Sequence, residues 1–145
     1  MKYPGYDVLK VLVKERELPL KRAVALLPRK FNDHRDLYPL ATLYTDGFLG
    51  ANLNDEQISK KNNEIAKMFY AMLLPEGTVK SDGLGDINGI GWGEKLTLFC
   101  TAKTDILFAE TKNKRVERII SLLTGIVIAI TSATVTAYLK NCVFA

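Results

Sequence analysis

The sequence predicts an α+β fold that is mainly helical, followed by a single C-terminal transmembrane helix. Apolar residues recur at helical spacing through most of the first 75 residues, a glycine-rich stretch leads into a short alternating segment, and residues 119–139 carry no charge. A chain of 145 residues allows one domain with a modest core. Its composition, 48% hydrophobic and 25% charged, is typical of a folded protein rather than a disordered one.

Three short helices are predicted before residue 46. The first covers residues 6–16, the second begins near Pro19 and stops at Pro28, and the third covers residues 36–45. Proline suits the first turn of a helix, where its missing N–H has no partner, but it ends a helix farther along. The apolar faces of these helices are interpreted as core rather than as cofactor contacts.

A fourth helix is predicted for residues 54–74, after a turn at Asp46-Gly47 and an extended stretch that starts at Phe48. Asn54 occupies the cap position of this helix, three residues before a glutamine, which is a capping-box spacing. We therefore expect a helix between the extended stretch and the glycines.

The stretch 77–93 holds six of the ten glycines, and residues 95–101 alternate as a strand. A phosphate-binding loop has to open a helix, whose amides meet the phosphate. Because a strand follows here, the glycines predict a wing-like hairpin or hinge and no nucleotide site.

The uncharged segment 119–139 has 21 residues. As a helix it would be about 31 Å long, which matches the hydrocarbon core of a bilayer. The alternative is a buried core helix, but such helices rarely have 21 uncharged residues in so small a chain. Six residues follow as a short tail, 140–145, so we predict a single pass.

The net charge of +4 comes from the C-terminal region, since residues 1–110 carry 15 basic and 15 acidic side chains. A basic juxtamembrane segment, 111–118, precedes the span. Its cations are the predicted membrane-orientation residues Lys112, Lys114, Arg115 and Arg118. By the positive-inside rule, residues 1–110 are cytoplasmic. With no signal-like N-terminus, the sequence predicts a bacterial inner-membrane protein with a cytoplasmic N-terminus.

Small side chains form one narrow face of the predicted span, within an arc of about 80°. This predicted helix–helix contact face consists of Ser121, Gly125, Ala129, Ser132 and Thr136. Small residues let two helices approach closely in lipid, so the face predicts a homo-oligomer. The alternative is that the hydroxyl groups bond back to carbonyls of their own helix.

Two phrases resemble the winged helix-turn-helix family. The phrase LATLYTDGFL, residues 40–49, is similar to the end of that family's third helix, and LFCTAKTDILFAE, residues 98–110, is similar to the return strand and the next helix. Thr104 stands where the family usually has glycine, and residues 54–74 would be an insertion. The resemblance implies that residues 1–110 form a winged-helix-like domain with a short β-wing.

Many winged helices bind DNA, which the charge pattern supports only in part. Residues 1–35 have a net charge of +5, from a basic surface that includes Lys10, Lys14, Lys21, Arg22, Arg29, Lys30 and Arg35. The third helix, however, has no Lys or Arg to read base edges. DNA is therefore not favoured, and anionic lipid, an acidic neighbouring subunit and plain solvent stay open for the basic surface.

No catalytic residue, cofactor or metal is predicted. His34 is the only histidine and lies among polar residues, as expected of a polar loop, so one chain offers no histidine-based metal cluster. Cys100 is predicted in a strand and Cys142 beyond the span, so the two cannot pair with each other.

Three functions stay open for a non-enzymatic membrane protein of this kind. The architecture is similar to small transmembrane effectors of bacterial anti-phage systems, which implies a cytoplasmic protein or ribonucleoprotein partner and a self-associating helix that perturbs the membrane. The alternatives are a membrane-tethered DNA-binding transcription regulator and a passive membrane adaptor.

Overall fold

The computed structural model describes residues 3–53, 61–81 and 85–143, with side chains to residue 137. The chain forms two compact units, residues 1–105 and residues 106–145. Helices and two small sheets make up the first unit, and one long apolar helix continues through the second, which confirms the mixed helix-and-strand class with a C-terminal apolar helix. In chain order the elements are α1 (Tyr6–Glu15), β1 (Glu17–Pro19), α2 (Leu20–Ala25), a 3₁₀ helix (His34–Leu37), α3 (Tyr38–Thr45), β2 (Leu49–Ala51), α4 (Asn62–Leu73), β3 (Val79–Ser81), β4 (Asp86–Asn88), β5 (Thr97–Cys100) and α5 (Ala102–Val143).

The first three predicted helices are present, with one strand that the sequence did not predict. Helix α1 ends at Glu15, and the next residue, Arg16, has a φ of 70°, in the left-handed region. Strand β1 follows at once and ends at Pro19, where α2 begins. Strand β1 has only three residues, too few for the sequence pattern to distinguish a strand from the start of the next helix. Its extended conformation is stabilised by pairing with β5, 80 residues away in the sequence.

The larger sheet has three antiparallel strands in the order β1-β5-β2. Leu98 of the central strand β5 pairs with Leu18 on one side and with Ala51 on the other. All three side chains are buried, so the sheet contributes one apolar face to the core. This confirms the predicted strand within residues 95–101.

The rest of the core comes from the apolar faces of the helices, as predicted. Its fully buried side chains include Val8 and Leu12 of α1, Leu20 of α2, Leu40 of α3, and Ile65 and Phe69 of α4.

Helix α4 begins at Asn62, later than predicted. Lys61 before it has extended backbone angles, φ −89° and ψ 125°. The predicted cap at Asn54 lies outside the described residues.

The glycine-rich stretch forms the predicted hairpin, in which β3 pairs with β4 apart from the larger sheet. It also packs closely on the end of α4. Ile90 N–H donates to the Ala71 carbonyl at 2.8 Å, and Gly91 N–H donates to the Leu74 carbonyl at 2.9 Å. A Cβ atom at Gly89 would collide with the Pro75 carbonyl oxygen. Glycine is required at this position because two backbone segments touch there.

Replacing Gly89 by alanine should therefore destabilise the domain, by about 1–3 kcal/mol, because the clashing atom is backbone and cannot rotate away. Gly85→Ala is the matched control, since a Cβ there meets no atom within 4 Å and should change the stability by less than about 0.5 kcal/mol. Chemical unfolding of the full chain in detergent micelles measures both. Equal effects would contradict the close packing at Gly89.

Candidate functional site

Helix α5 is the candidate membrane anchor. Among the described residues it is the one helix long and apolar enough to cross a bilayer, and none of its apolar window is buried within the protein. Leu122, for example, exposes 69% of its surface. This exposure does not fit the alternative of a buried core helix, because leaving a large aliphatic side chain in water forfeits about 1.5–3 kcal/mol.

The five residues of the predicted contact face all lie on α5, and their side chains are exposed in the single chain. The Thr136 hydroxyl donates to the Ser132 carbonyl at 2.8 Å, and Thr124 and Thr131 bond back to their own helix in the same way. A Cβ at Gly125 would meet no atom within 4 Å. Within the face, the Thr136 hydroxyl is thus already bonded to its own helix and Gly125 leaves open space, and self-association stays a prediction.

The four cations Lys112, Lys114, Arg115 and Arg118 lie on α5 and are exposed. They precede the uncharged segment within two turns of helix, at the depth of lipid headgroups if the segment spans a membrane. Clustered cations at this position attract anionic headgroups.

Hydrogen bonds fix the start of α5 to the turn between α3 and β2. Thr101 donates from its hydroxyl to the carbonyls of Gly47, at 2.7 Å, and Phe48, at 3.0 Å. Thr104 is fully buried, and its hydroxyl also donates to the Phe48 carbonyl. Two carbonyls of the turn that follows α3 thus gain partners that lie more than 50 residues away in the sequence.

Lys103 makes a further contact between the start of α5 and the α3–β2 turn. Its ammonium group donates to the Asp46 carbonyl at 2.6 Å and lies 4.4 Å from the centre of the Phe48 ring, a cation–π distance. The two phrases that resemble the winged-helix family therefore contact each other, which sequence spacing did not predict. We call this set, Asp46, Gly47, Phe48, Thr101, Lys103 and Thr104, the anchoring turn.

A second contact fixes the first turn of α5 to the end of α1. One guanidinium nitrogen of Arg16 lies 2.8 Å and 2.7 Å from the two carboxylate oxygens of Asp105. This hydrogen-bonded pair holds the pKa of Asp105 below its usual value. Burial, with the nearby Asp105 carboxylate, raises the pKa of the Cys100 thiol, which leaves it protonated and a poor nucleophile at neutral pH.

Ion pairs neutralise much of the predicted basic surface. Four of its cations lie within ion-pair distance of a carboxylate: Lys10 with Asp7 at 3.7 Å, Lys21 with Glu94 at 2.8 Å, Arg22 with Glu15 at 2.5 Å and Arg35 with Asp33 at 2.6 Å. Asp7, Glu15 and Asp33 are already counted in the net charge of +5 of residues 1–35, so of these four partners Glu94 alone offsets part of that excess.

Helix α4 covers the polar side of α3. Thr45 donates to the Asn62 side chain at 2.6 Å, and Asn62 donates to Thr42 at 3.1 Å. The Tyr44 ring packs edge-on against Phe69, with ring centres 5.9 Å apart. A helix with its outer side packed in this way has little surface left for a DNA groove.

The expectation of a polar loop at His34 was wrong. His34 begins the 3₁₀ helix, exposes only 8% of its surface and packs edge-on against Tyr38. Its Nδ1 atom is buried with no hydrogen-bond partner in the part of the chain that the structure describes. The sequence did not predict this burial because His34 lies between the charged residues Asp33 and Arg35. A helix of a single turn is also too short to show an apolar periodicity.

The structure shows a mixed helix-and-strand domain and a long apolar helix that could span a membrane. No family model, curated protein or solved structure matches the chain, so its function has to be inferred from its own residues.

The Arg16–Asp105 pair should make stability depend on pH. A carboxyl group whose pKa is lowered on folding stabilises the fold above its unfolded pKa, and this contribution disappears as the pH falls through the folded pKa. Asp105→Asn should therefore lower the melting temperature by a few degrees at pH 7, and this difference from the unsubstituted chain should shrink below pH 3.8, the usual value for the group.

Thermal unfolding of the full chain in detergent between pH 2 and pH 7 measures this difference. Asp86→Asn, on the exposed hairpin, is the control and should show a smaller difference at pH 7. A difference for Asp105→Asn that stays constant with pH would exclude a stabilising ion pair.

Proposed function

We propose that the chain is a non-enzymatic, single-pass membrane effector of an anti-phage, abortive-infection type. The domain before the span binds a cytoplasmic protein or ribonucleoprotein, and the helix associates with other copies of itself and perturbs the membrane. The observation that carries this proposal is the unburied apolar window of α5. An apolar surface of this length needs lipid or other helices to cover it.

The basic flank supports a defined orientation in the bacterial inner membrane. Lys112, Lys114, Arg115 and Arg118 all lie on one side of the span, and the short tail carries Lys140 alone. This asymmetry favours a cytoplasmic domain and an exported tail.

Strand order supports a winged-helix-like fold for the domain. Helix α1, strand β1 and two further helices precede β2, and the later strand β5 lies between β1 and β2. A winged helix has this order of elements, so the order is an argument for that fold, and α4 and the β3–β4 hairpin would then be an insertion before the return strand.

The same structure supports the effector over a DNA-binding regulator. The helix that would read DNA is α3, whose polar side is bonded to α4 and which carries no Lys or Arg. A DNA reader needs exposed donors directed at base edges. The passive adaptor remains the second candidate, since it needs the same anchor but no self-association.

The anchoring turn supports signalling through the domain. Contacts of Thr101, Lys103 and Thr104 join the start of α5 to the α3–β2 turn, so a partner that shifts α3 also displaces the first turn of the membrane helix. Such coupling requires the partner to bind two arrangements of the domain with different affinity.

Cysteine labelling tests the orientation. In spheroplasts, a membrane-impermeant maleimide should label Cys142, which follows the span. An unlabelled Cys100 does not report the topology, because its raised pKa makes it a poor nucleophile on either side of the membrane. Changing Lys112, Lys114, Arg115 and Arg118 to glutamate should reduce the labelling of Cys142, because the cations no longer retain the flank in the cytoplasm. Cys142→Ala is the control for specificity. Label on Cys100 in intact spheroplasts, or recovery of the chain in the soluble fraction, would refute the proposed topology.

Substitution of Gly125 tests self-association and the effector role together. Gly125→Leu leaves the single chain undisturbed, because no atom lies near its Cβ, but should separate two packed helices. We expect loss of cross-linked oligomers and loss of the membrane depolarisation that induced expression of the unsubstituted chain causes. Thr134→Leu, on the opposite side of the helix, is the matched control and should preserve both.

Two results would count against this proposal. Oligomers that survive Gly125→Leu would mean that the contact face is wrong. Normal membrane potential at confirmed membrane expression of the unsubstituted chain would remove the effector and leave the adaptor.

A further inference from the structure

We propose that residues 106–118 of α5 pair with the same residues of a second copy as a short parallel coiled coil. Before the uncharged segment, α5 carries a stripe of four exposed side chains, Ile106, Ala109, Asn113 and Val116. Their spacing of three and four residues is that of the a and d positions of a heptad. The inference rests on the self-association of the span proposed above and adds a second contact to it.

The stripe lies on the charged segment of α5, where lipid does not cover it. Ile106 exposes 59% of its surface, and Val116 exposes 46%. If residues 119–139 span a bilayer, Ile106 lies about 20 Å along the helix before the first residue of the span. Burial against a neighbouring helix removes this apolar surface from water, which favours association.

The charges beside the stripe favour a second copy in parallel orientation. In a parallel pair of helices, the g position of one helix faces the next e position of the other. Lys112 occupies g and Glu117 occupies that e position, so each copy offers a cation where the other offers a carboxylate. Neither side chain forms an ion pair with a described residue of its own chain. An antiparallel pair would bring g against g and e against e, where like charges repel.

Two further polar positions agree with a two-stranded contact. Asn113 occupies an a position, and a single asparagine there specifies the register and the number of strands of a coiled coil. Asp105 occupies the preceding g position, opposite Glu110 of the second copy. The Asp105 carboxylate is already bonded to the Arg16 guanidinium at 2.7 Å and 2.8 Å, so its charge is compensated within the chain.

The stripe and the contact face through Gly125 lie about 140° apart around α5, at about 100° per residue. One neighbouring helix cannot contact both, so a chain that uses both faces has two neighbours and the assembly is larger than a dimer. Two heptads are too short to join two chains alone. The stripe contact therefore forms between pairs that the span already holds at high effective concentration, and Gly125→Leu removes it as well.

Charge reversal tests this contact on the full chain in detergent micelles, with the size of the chemically cross-linked species as the readout. The unsubstituted chain should form species larger than a dimer. Lys112→Glu should reduce them to the dimer that the span holds, because two carboxylates then meet at each g–e contact. Adding Glu117→Lys reverses the pair and should restore the larger species. Lys114→Glu, at the outward-facing b position, is the matched control and should leave the assembly unchanged.

Disulfide formation tests which side of α5 forms the contact. In a Cys142→Ala background, oxidation should join two copies through Val116→Cys, because d positions face each other across a parallel coiled coil. Arg115→Cys is the matched control at the adjacent c position, which faces outward, and should join few copies.

Failure of the stripe contact differs from failure of the span contact. If the unsubstituted chain stops at a dimer and neither cysteine joins two copies, the stripe is left to another occupant, such as the cytoplasmic partner, and the proposal is overturned. Equal joining through both cysteines, or no recovery with the reversed pair, overturns it as well. An unsubstituted chain that stays monomeric overturns both contacts, and with them the self-association of the proposed effector.

Discussion

The contact between the α3–β2 turn and the first turn of α5 is the constraint on which the rest of the molecule depends. The carbonyls of Gly47 and Phe48 lie in the turn between α3 and β2, where neither helix nor strand pairing supplies a donor as a matter of course. Thr101 and the buried Thr104 supply hydroxyl donors, so the start of α5 is specified by hydrogen bonds and not by apolar packing alone.

Aliphatic side chains are buried in the first unit and exposed on α5. Residues of the first unit bury their aliphatic side chains against each other, with Leu98 of β5 in contact with neighbours on both sides of the sheet. Helix α5 instead leaves its aliphatic side chains exposed over the whole of its apolar window. The same kind of side chain thus stabilises the fold in one segment and, in the other, is left for lipid or another helix to cover.

Helix α4 contacts both α3 and the glycine-rich stretch. By bonding to Thr42 and Thr45 it covers the side of α3 that a DNA reader would expose. Its opposite end is bonded by the glycine-rich stretch, which brings the hairpin and Lys80 beside the 3₁₀ helix. Helix α4 therefore covers part of α3 and holds the hairpin beside the 3₁₀ helix.

The sequence by itself determined the elements with a strong period: α1, the apolar face of α4, strand β5 and the long uncharged segment of α5, because helix and strand periodicity and bilayer thickness act locally. It also determined the hairpin through its glycines. Tertiary structure alone decided strand β1, which three residues cannot encode, and the burial of His34 between charged neighbours. Tertiary structure also decided the contact of Thr101 and Thr104 with the turn at Gly47 and Phe48. Hydrogen bonds between segments more than 50 residues apart cannot be predicted from the periodicity of the sequence, because periodicity reports only local structure.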